Sequence, residues 1–480
     1  MTAPTTAAGV DSVPSWTRRR FLRDAAIVAG TALTGCSAIE DTVPQLAAAK
    51  ADDLVDSVGV RTAMREGATS LYGDVALVLD ALRDDATGLG LRHVREQLIL
   101  PANDAAQAAS QQRAWPQLAA LGIDFTSQIG AAPDGSDGTV DEFATYLRQT
   151  LGGRDGLVST VENCNEPNSP AAAWNRSDPT AWIGLCRSRQ AAMAARFRPD
   201  PALSHIRLAG PSLAGGAGLL KYQALGDLSP DIDLGNFHYY SGIRRLSTPS
   251  AELDSILRGV AINAPGQPVI CTETGMNQGR QTAAIAPHPE PVAASYMPRL
   301  VLDHFSRGVS RVFIFELLDD HPDPGFTDQE SHFGLLRYSN GSLEPKLSYI
   351  SLKRLLDLLR EPGAEFTPSG LAMLVQGAPP DYRQLLFQKS NGRHYLCMWR
   401  DVSIWNQTTS TPIDVQEYAV RVTLATATTI NVYRPAKQTP PVSTYSQTVS
   451  VEVPLAGDVN VLEILADTDS APPGRSIPVR

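Results

Sequence analysis

The sequence predicts an α/β chain in which a (β/α)8 barrel is followed by a small C-terminal antiparallel β-sandwich. Two periodicities carry that expectation. Between about residues 51 and 360, eight short apolar runs alternate with stretches whose apolar residues recur every three or four positions, strand and amphipathic helix in turn. From about residue 361 apolar residues recur every second position, with no helical stretch between them. A third observation separates closed from open sheets. No G-x-G-x-x-G opens a helix after the first strand, so a doubly wound nucleotide-binding sheet fits less well than a barrel.

In chain order, residues 1–36 read as an address and not as part of the fold. Thr17-Arg18-Arg19-Arg20-Phe21-Leu22-Arg23 precedes an apolar run, Ala25 to Leu33, too short to span a bilayer. The heptapeptide is similar to the twin-arginine export consensus. Leu33-Thr34-Gly35-Cys36 resembles a lipobox, in which Cys36 would carry a lipid and tie the exported chain to a membrane. Cleavage by an ordinary signal peptidase, leaving Cys36 a bystander and the chain secreted or periplasmic, is the alternative. Residues 37–50 read as an Ala-rich linker.

The eight barrel strands are expected at Asp56 to Arg61, Leu91 to Glu96, Ile123 to Ile129, Val158 to Glu162, Ile206 to Pro211, Leu234 to Tyr239, Pro268 to Glu273 and Val312 to Glu316. Helical periodicity lies between them, as in Val75 to Leu82 and Tyr296 to Phe305. The barrel domain is set at 51–360. Beyond it, Tyr382 to Lys389 and His394 to Trp399 flank Ser390-Asn391-Gly392-Arg393, a hairpin signal. Val420 to Leu424, Thr429 to Tyr433, Thr448 to Val453 and Val459 to Leu465 continue the alternation. They place a β domain at 361–470, packed on the barrel as support, with a frayed tail at 471–480.

Composition narrows the function. Forty-one Lys and Arg against 51 Asp and Glu give a formal charge of −10, which disfavours an electrostatic nucleic-acid binder. Four of the five cysteines, Cys164, Cys186, Cys271 and Cys397, match no zinc spacing and read as small buried packing residues. Neither metal nor cofactor is implied.

Catalytic side chains of such a barrel project from the C-terminal ends of its strands. The fourth strand ends in Val161-Glu162-Asn163-Cys164-Asn165-Glu166-Pro167-Asn168 and the seventh in Val269-Ile270-Cys271-Thr272-Glu273-Thr274-Gly275. Each sets a glutamate, Glu166 and Glu273, at the rim of one pocket. Two carboxyl groups, one protonated and one ionised, are what cleavage of a glycosidic bond requires.

Asn165-Glu166-Pro167, His238-Tyr239-Tyr240 after the sixth strand and Thr272-Glu273 on the seventh resemble, in this order, the signature of the large clan of retaining glycoside hydrolases, among them cellulase-like and β-xylosidase-like families. The resemblance spans 51–360. It implies Glu166 as acid and base, Glu273 as nucleophile, and Asn165 as the group that holds the sugar 2-hydroxyl. It further implies that Arg95 and Tyr240 donate to Glu273, and that His238 neighbours the substrate or the acid. Strand parity chooses between Arg92 and Arg95 only if the second strand is regular, and Glu162, of the same parity as Glu166, reads as a buried structural carboxylate.

The chain departs from the clan where many members carry Trp after the eighth strand. Here stands Phe313-Ile314-Phe315-Glu316-Leu317-Leu318. An aromatic floor for the sugar would then come from Phe315 or from Trp174, and Glu316 either binds sugar hydroxyls or pairs with an arginine. Asp319 to Glu330 begins and ends like a calcium loop, but Pro324 stands where such a loop requires glycine, and the segment reads as an acidic loop over the pocket. The expected partner is a carbohydrate. A transglycosylase with the same two glutamates, and a surface carbohydrate-binding protein without turnover, are the alternatives.

Overall fold

The computed structural model describes residues 43–466, apart from 84–85, 131, 133, 152–156, 171, 215–217, 241–248, 281–286 and 340–341. The export and lipobox readings, Cys36 included, lie outside the described residues.

Two short strands, β1 (Gln45–Leu46) and β2 (Ala49–Lys50), and the helix α1 (Ala51–Asp56) come first. The barrel follows as β3 (Val58–Arg61), α2 (Val75–Leu82), β4 (His93–Leu98), α3 (Ala105–Ala119), β5 (Asp124–Ile129), α4 (Val140–Tyr146), β6 (Val158–Glu162) and α5 (Ala181–Phe197). Then come β7 (Arg207–Ala209), α6 (Leu219–Leu225), β8 (Gly235–Tyr239), α7 (Pro249–Asn263), β9 (Val269–Thr274), α8 (Glu290–Ser306) and β10 (Val309–Ile314). A two-stranded ribbon, β11 (Leu336–Ser339) and β12 (Ser342–Pro345), precedes α9 (Leu347–Leu359).

The eight parallel strands run in the order β7-β6-β5-β4-β3-β10-β9-β8, and one bridge, Ala209 to Leu234, brings the two ends of the sheet together. The barrel is near-closed. Its strands read as continuous apolar runs because helices cover the outer face while side chains fill the inside. Helix starts follow from sequence. Asp74 accepts from the amides of Ala76 and Leu77, Asp104 from those of Ala106 and Gln107, and Thr139 with Glu142 forms a capping box.

The C-terminal part comprises β13 (Leu371–Gln376), β14 (Tyr382–Gln388), β15 (His394–Arg400), the minor ribbon β16 (Trp405–Asn406) and β17 (Thr411–Pro412), β18 (Tyr418–Tyr433), β19 (Ser443–Leu455) and β20 (Asn460–Ile464). Instead of two stacked sheets, it forms one curled, mixed sheet ordered β1-β13-β18-β20-β15-β14-β2, with β19 beside β18. The difference lies in β18. Val420 to Leu424 and Thr429 to Tyr433 are one strand, bent by register shifts between Thr423 and Ile430, so a single strand serves both halves of the curl. The hairpin at 390–393 is present, with Gln388 opposite His394. The expected linker is corrected as well: within 37–50, β1 pairs with β13 and β2 pairs in parallel with β14. Their brevity, two residues each, left no periodicity to read.

Strand β15 shows why sheet and barrel hold together. Its residues alternate between two cores, as a strand with period two must. Leu396 and Met398 join Val420, Val422, Ile430 and Val451 inside the curl, while Tyr395, Cys397 and Trp399 join the core that the barrel helices share. The indole of Trp399 donates to Asp303 of α8 at 3.0 Å, and Ser295 of α8 donates to Asp458 at 2.5 Å. Cys164, Cys186, Cys271 and Cys397 are free and buried.

Truncating Trp399 to Ala empties that shared core and removes the donor to buried Asp303. A loss of about 3–5 kcal/mol is expected in urea denaturation. Far-UV circular dichroism and tryptophan fluorescence are expected to follow one common transition; two separated transitions, with the substitution moving only one of them, would refute a shared core.

Candidate active site

The site lies at the C-terminal ends of β4, β6, β8 and β9, and one buried cation organises it. Arg95 on β4 donates through Nε and Nη2 to both oxygens of Glu162 on β6, at 2.7 and 3.1 Å. That fork pairing fixes the guanidinium plane. The remaining donors are thereby aimed: Nη1 reaches Glu273 Oε1 at 2.6 Å and Nη2 reaches Asn165 Oδ1 at 2.8 Å. Arg92, the competing arginine, points to the other end of the barrel and pairs with Asp52 at 2.7 Å.

Glu273 ends β9. Tyr240, just past β8, donates its hydroxyl to Oε2 at 2.9 Å. Burial alone would raise the Glu273 pKa, but the charges of His238 and Arg95 and the hydrogen bonds from Arg95 and Tyr240 outweigh it and bring it to about 2. Glu273 is therefore a carboxylate at any ordinary pH. Tyr240 moves the other way, because burial and the charges of Glu273 and Glu166 raise its pKa and keep it a donor.

Glu166 sits in a different setting. Its φ of 44° places it in the left-handed region. That conformation costs about 1–3 kcal/mol for a residue with a side chain. Pro167 disfavours the right-handed region for the residue before it, and the Glu166 amide donates to Ser212 O at 2.9 Å while Asn165 bridges Ser212. The chain is thus clamped where β6 leaves the barrel. No hydrogen bond from an arginine or tyrosine reaches the Glu166 carboxyl among the described residues. Its neighbour is His238, whose Nδ1 lies 3.0 Å from Glu166 Oε1 and 3.4 Å from Glu273 Oε2. Burial disfavours the imidazolium, but the charges of Glu273 and Glu166 raise the His238 pKa above its ordinary value.

Glu166, His238 and Glu273 bring ligand-type atoms within 4.8 Å of one another, as do Glu66, Asp320 and His321. In the first group Arg95 already supplies a positive charge in contact with Glu273. The Arg95 charge disfavours a second cation there.

The other expected residues divide. Phe315 is half-buried at the site, its ring edge-on to Tyr240 at 6.4 Å and to Phe333 at 5.4 Å. Glu316, one residue on, is turned away from sugar binding: its side chain is 1% exposed, and Arg61 and Tyr72 both donate to Oε2. Of its two possible roles, pairing with an arginine is the one the geometry gives. Trp174 is half-buried and tied by its indole N–H to the Pro167 carbonyl at 2.8 Å, bracing the loop after Glu166. The acidic loop is folded on itself. Asp323 accepts from the Thr327 and Asp328 amides and faces His332, and Asp319 pairs with Lys346 at 2.7 Å.

Several participants carry no role in the sequence reading. Thr272 is the clearest. Strand parity sets Thr272 opposite to Glu273, yet a register shift pairs Phe237 with Cys271 and His238 with Glu273, making Thr272 the extra residue of a bulge. Its hydroxyl turns inward to Glu162, Asn236 and His238. Gly275 follows from close packing, since a Cβ there would run into the Phe315 carbonyl oxygen. Phe333 comes from a loop with no periodicity to flag it. Arg61, by contrast, ends the first barrel strand, where the search for functional residues begins.

No family model and no curated protein matches the sequence. Among solved structures, the chain resembles a bacterial orthologue of human α-L-iduronidase at 12% identity, covering 89% of this chain and 83% of that one, with a TM-score of 0.53. It also matches an endo-β-1,6-glucanase (11% identity, 86% and 91% covered, TM-score 0.49) and the catalytic domain of a xylanase from Talaromyces cellulolyticus (13% identity, 86% and 96% covered, TM-score 0.48). What the chain shares with the iduronidase orthologue at 12% identity is the fold alone, an eight-stranded α/β barrel.

The Glu273 pKa sets a test on stability. Its folded value of about 2 lies below the ordinary 4.5, so the folded state binds that proton more weakly than the unfolded one. The stabilisation is present above pH 4.5 and is lost as pH falls toward 2. Chemical denaturation of the wild type is expected to weaken more steeply over that window than that of Glu273→Gln; parallel curves would refute the assignment.

Proposed function

We propose that the chain is a retaining O-glycoside hydrolase acting on an oligo- or polysaccharide, with Glu273 as nucleophile and Glu166 as acid and base. The observation that carries this reading is the unequal treatment of two neighbouring carboxyl groups. Glu273 receives Arg95 and Tyr240 and is held ionised, whereas Glu166 receives neither and faces an imidazole. One carboxylate and one proton source are thereby set side by side. A carboxyl oxygen of each lies within 4.8 Å of the other. That closeness supports retention, because retaining pairs stand about 5–5.5 Å apart and inverting pairs about 6.5–9.5 Å.

In the first step Glu273 Oε attacks the anomeric carbon and the glycosidic C–O bond breaks, while Glu166 delivers a proton to the departing oxygen. In the second, Glu166 takes a proton from water, the water oxygen bonds to the anomeric carbon and Glu273 leaves. Arg95 stays paired with Glu162 throughout, so Glu273 is steadied both as free carboxylate and as ester. Asn165, held by Arg95, offers its amide to the sugar 2-hydroxyl. Phe315, with Tyr240 and Phe333 around it, supplies the apolar surface on which a sugar ring stacks. The sequence resemblance favours β-glycosides, and the N-terminal signals favour export by the twin-arginine route with a lipid at Cys36.

Sugar release from a panel of bacterial and plant polysaccharides and aryl glycosides tests the reading. The wild type is expected to release sugar with the anomeric configuration retained by proton NMR, and Glu273→Gln to fall to background. Glu166→Gln is expected to lose about 10²–10⁴-fold on substrates with poor leaving groups and much less on an activated aryl glycoside. Binding without release by the wild type would overturn the proposal, and release unchanged by Glu273→Gln would overturn the assignment.

A further inference from the structure

The Thr272 hydroxyl sits among three groups that all can accept a hydrogen bond: Asn236 Oδ1 at 2.9 Å, Glu162 Oε1 at 3.1 Å and His238 Nε2 at 3.1 Å. A hydroxyl carries one proton. Asn236 Oδ1 accepts only, its amide nitrogen being turned to Gly210 O at 3.1 Å. Glu162 Oε1 already accepts from Ser212 at 2.7 Å, and both Glu162 oxygens accept from Arg95. With Thr272 donating toward Asn236 or Glu162 and accepting from the imidazole, one of the three contacts lacks a hydrogen, whereas donation to Nε2 leaves two without one, so the first arrangement is favoured. His238 Nε2 then carries hydrogen.

The consequence appears at the other side of the ring. Nδ1 and Glu166 Oε1 are 3.0 Å apart, a distance at which two bare acceptors repel. With Nε2 already protonated, the hydrogen between them is an additional one, on Glu166 or on Nδ1. We propose that Thr272 is a positioning residue that locks His238 in its Nε2–H form, so that His238 Nδ1 and Glu166 hold between them the proton delivered to the leaving group. The proton moves from this shared position to the glycosidic oxygen in the first step, and the one taken from water returns to it in the second.

Charged and titratable groups face His238 from the neighbouring elements: Glu162 from β6, Glu166 from the loop after it, Glu273 from β9 and Arg95 from β4. The acids favour the extra proton, and Arg95 opposes it. The bulge in β9 makes the device possible, since in a regular strand Thr272 and Glu273 would point to opposite faces.

The tautomer stands without any assumption about activity; its use in turnover rests on the hydrolase reading. Long-range proton–nitrogen correlation spectra of the ¹⁵N-histidine-labelled protein, with His238 assigned by its loss in His238→Gln, are expected to show Nε2 protonated at every pH where the protein is folded. A bare Nε2 would overturn the proposal. On the substrate found by the panel, Thr272→Val is expected to move the alkaline limb of kcat/KM down by about one pH unit, and Thr272→Ser to restore it. A rate loss in Thr272→Val with the limb unmoved would mean that Thr272 only packs. A protonated Nε2 in a chain that releases no sugar would leave the tautomer standing and sink the hydrolase reading instead.

Discussion

The fork between Arg95 and Glu162 is the constraint on which the site depends. Both groups are buried among the barrel strands, where an unpaired charge would cost several kcal/mol. Paired through two hydrogen bonds, they hold each other in one orientation, and the donors left over on Arg95 become fixed reference points for Glu273 and Asn165. Strands β4, β6 and β9 are thereby tied together at the Glu273 carboxylate. Through Ser212 and Thr272, Glu162 also reaches the segment just after β7 and strand β9.

Around that anchor the backbone departs from regularity at two positions. Glu166 takes a left-handed conformation as β6 leaves the sheet, and β9 carries an extra residue at Thr272. Each departure aims a side chain where a regular strand would not send it. Surrounding contacts hold both: Ser212 clamps the first, and the Asn236, Glu162 and His238 contacts hold the second. The curled sheet acts at longer range. By packing Tyr395, Cys397 and Trp399 against the helices it fixes α8, which immediately precedes β10, the strand that delivers Phe315.

Much of this was legible in the chain. Barrel strands declare themselves as short apolar runs because they are buried on both faces, and the expected runs overlap each of the observed strands. Glu166 and Glu273 were expected because a parallel barrel puts strand ends at one rim, whereas Arg95, His238 and Tyr240 were expected from the resemblance to the glycoside hydrolase clan. Less legible were features that depend on partners distant in sequence. The fate of Glu316 turned on Arg61 and Tyr72, 255 and 244 residues away, and β1 and β2 exist only because a sheet edge meets them.

By itself the sequence determined the barrel and the strand ends that carry the two carboxyl groups, since both follow from local periodicity and from the polarity of a parallel strand. The tertiary structure alone decided which carboxyl group is held ionised, which arginine faces inward and that Thr272 turns toward the imidazole. Those outcomes depend on burial, charge proximity and strand register. All three are properties of neighbours brought together by folding, and no local pattern of residues encodes them.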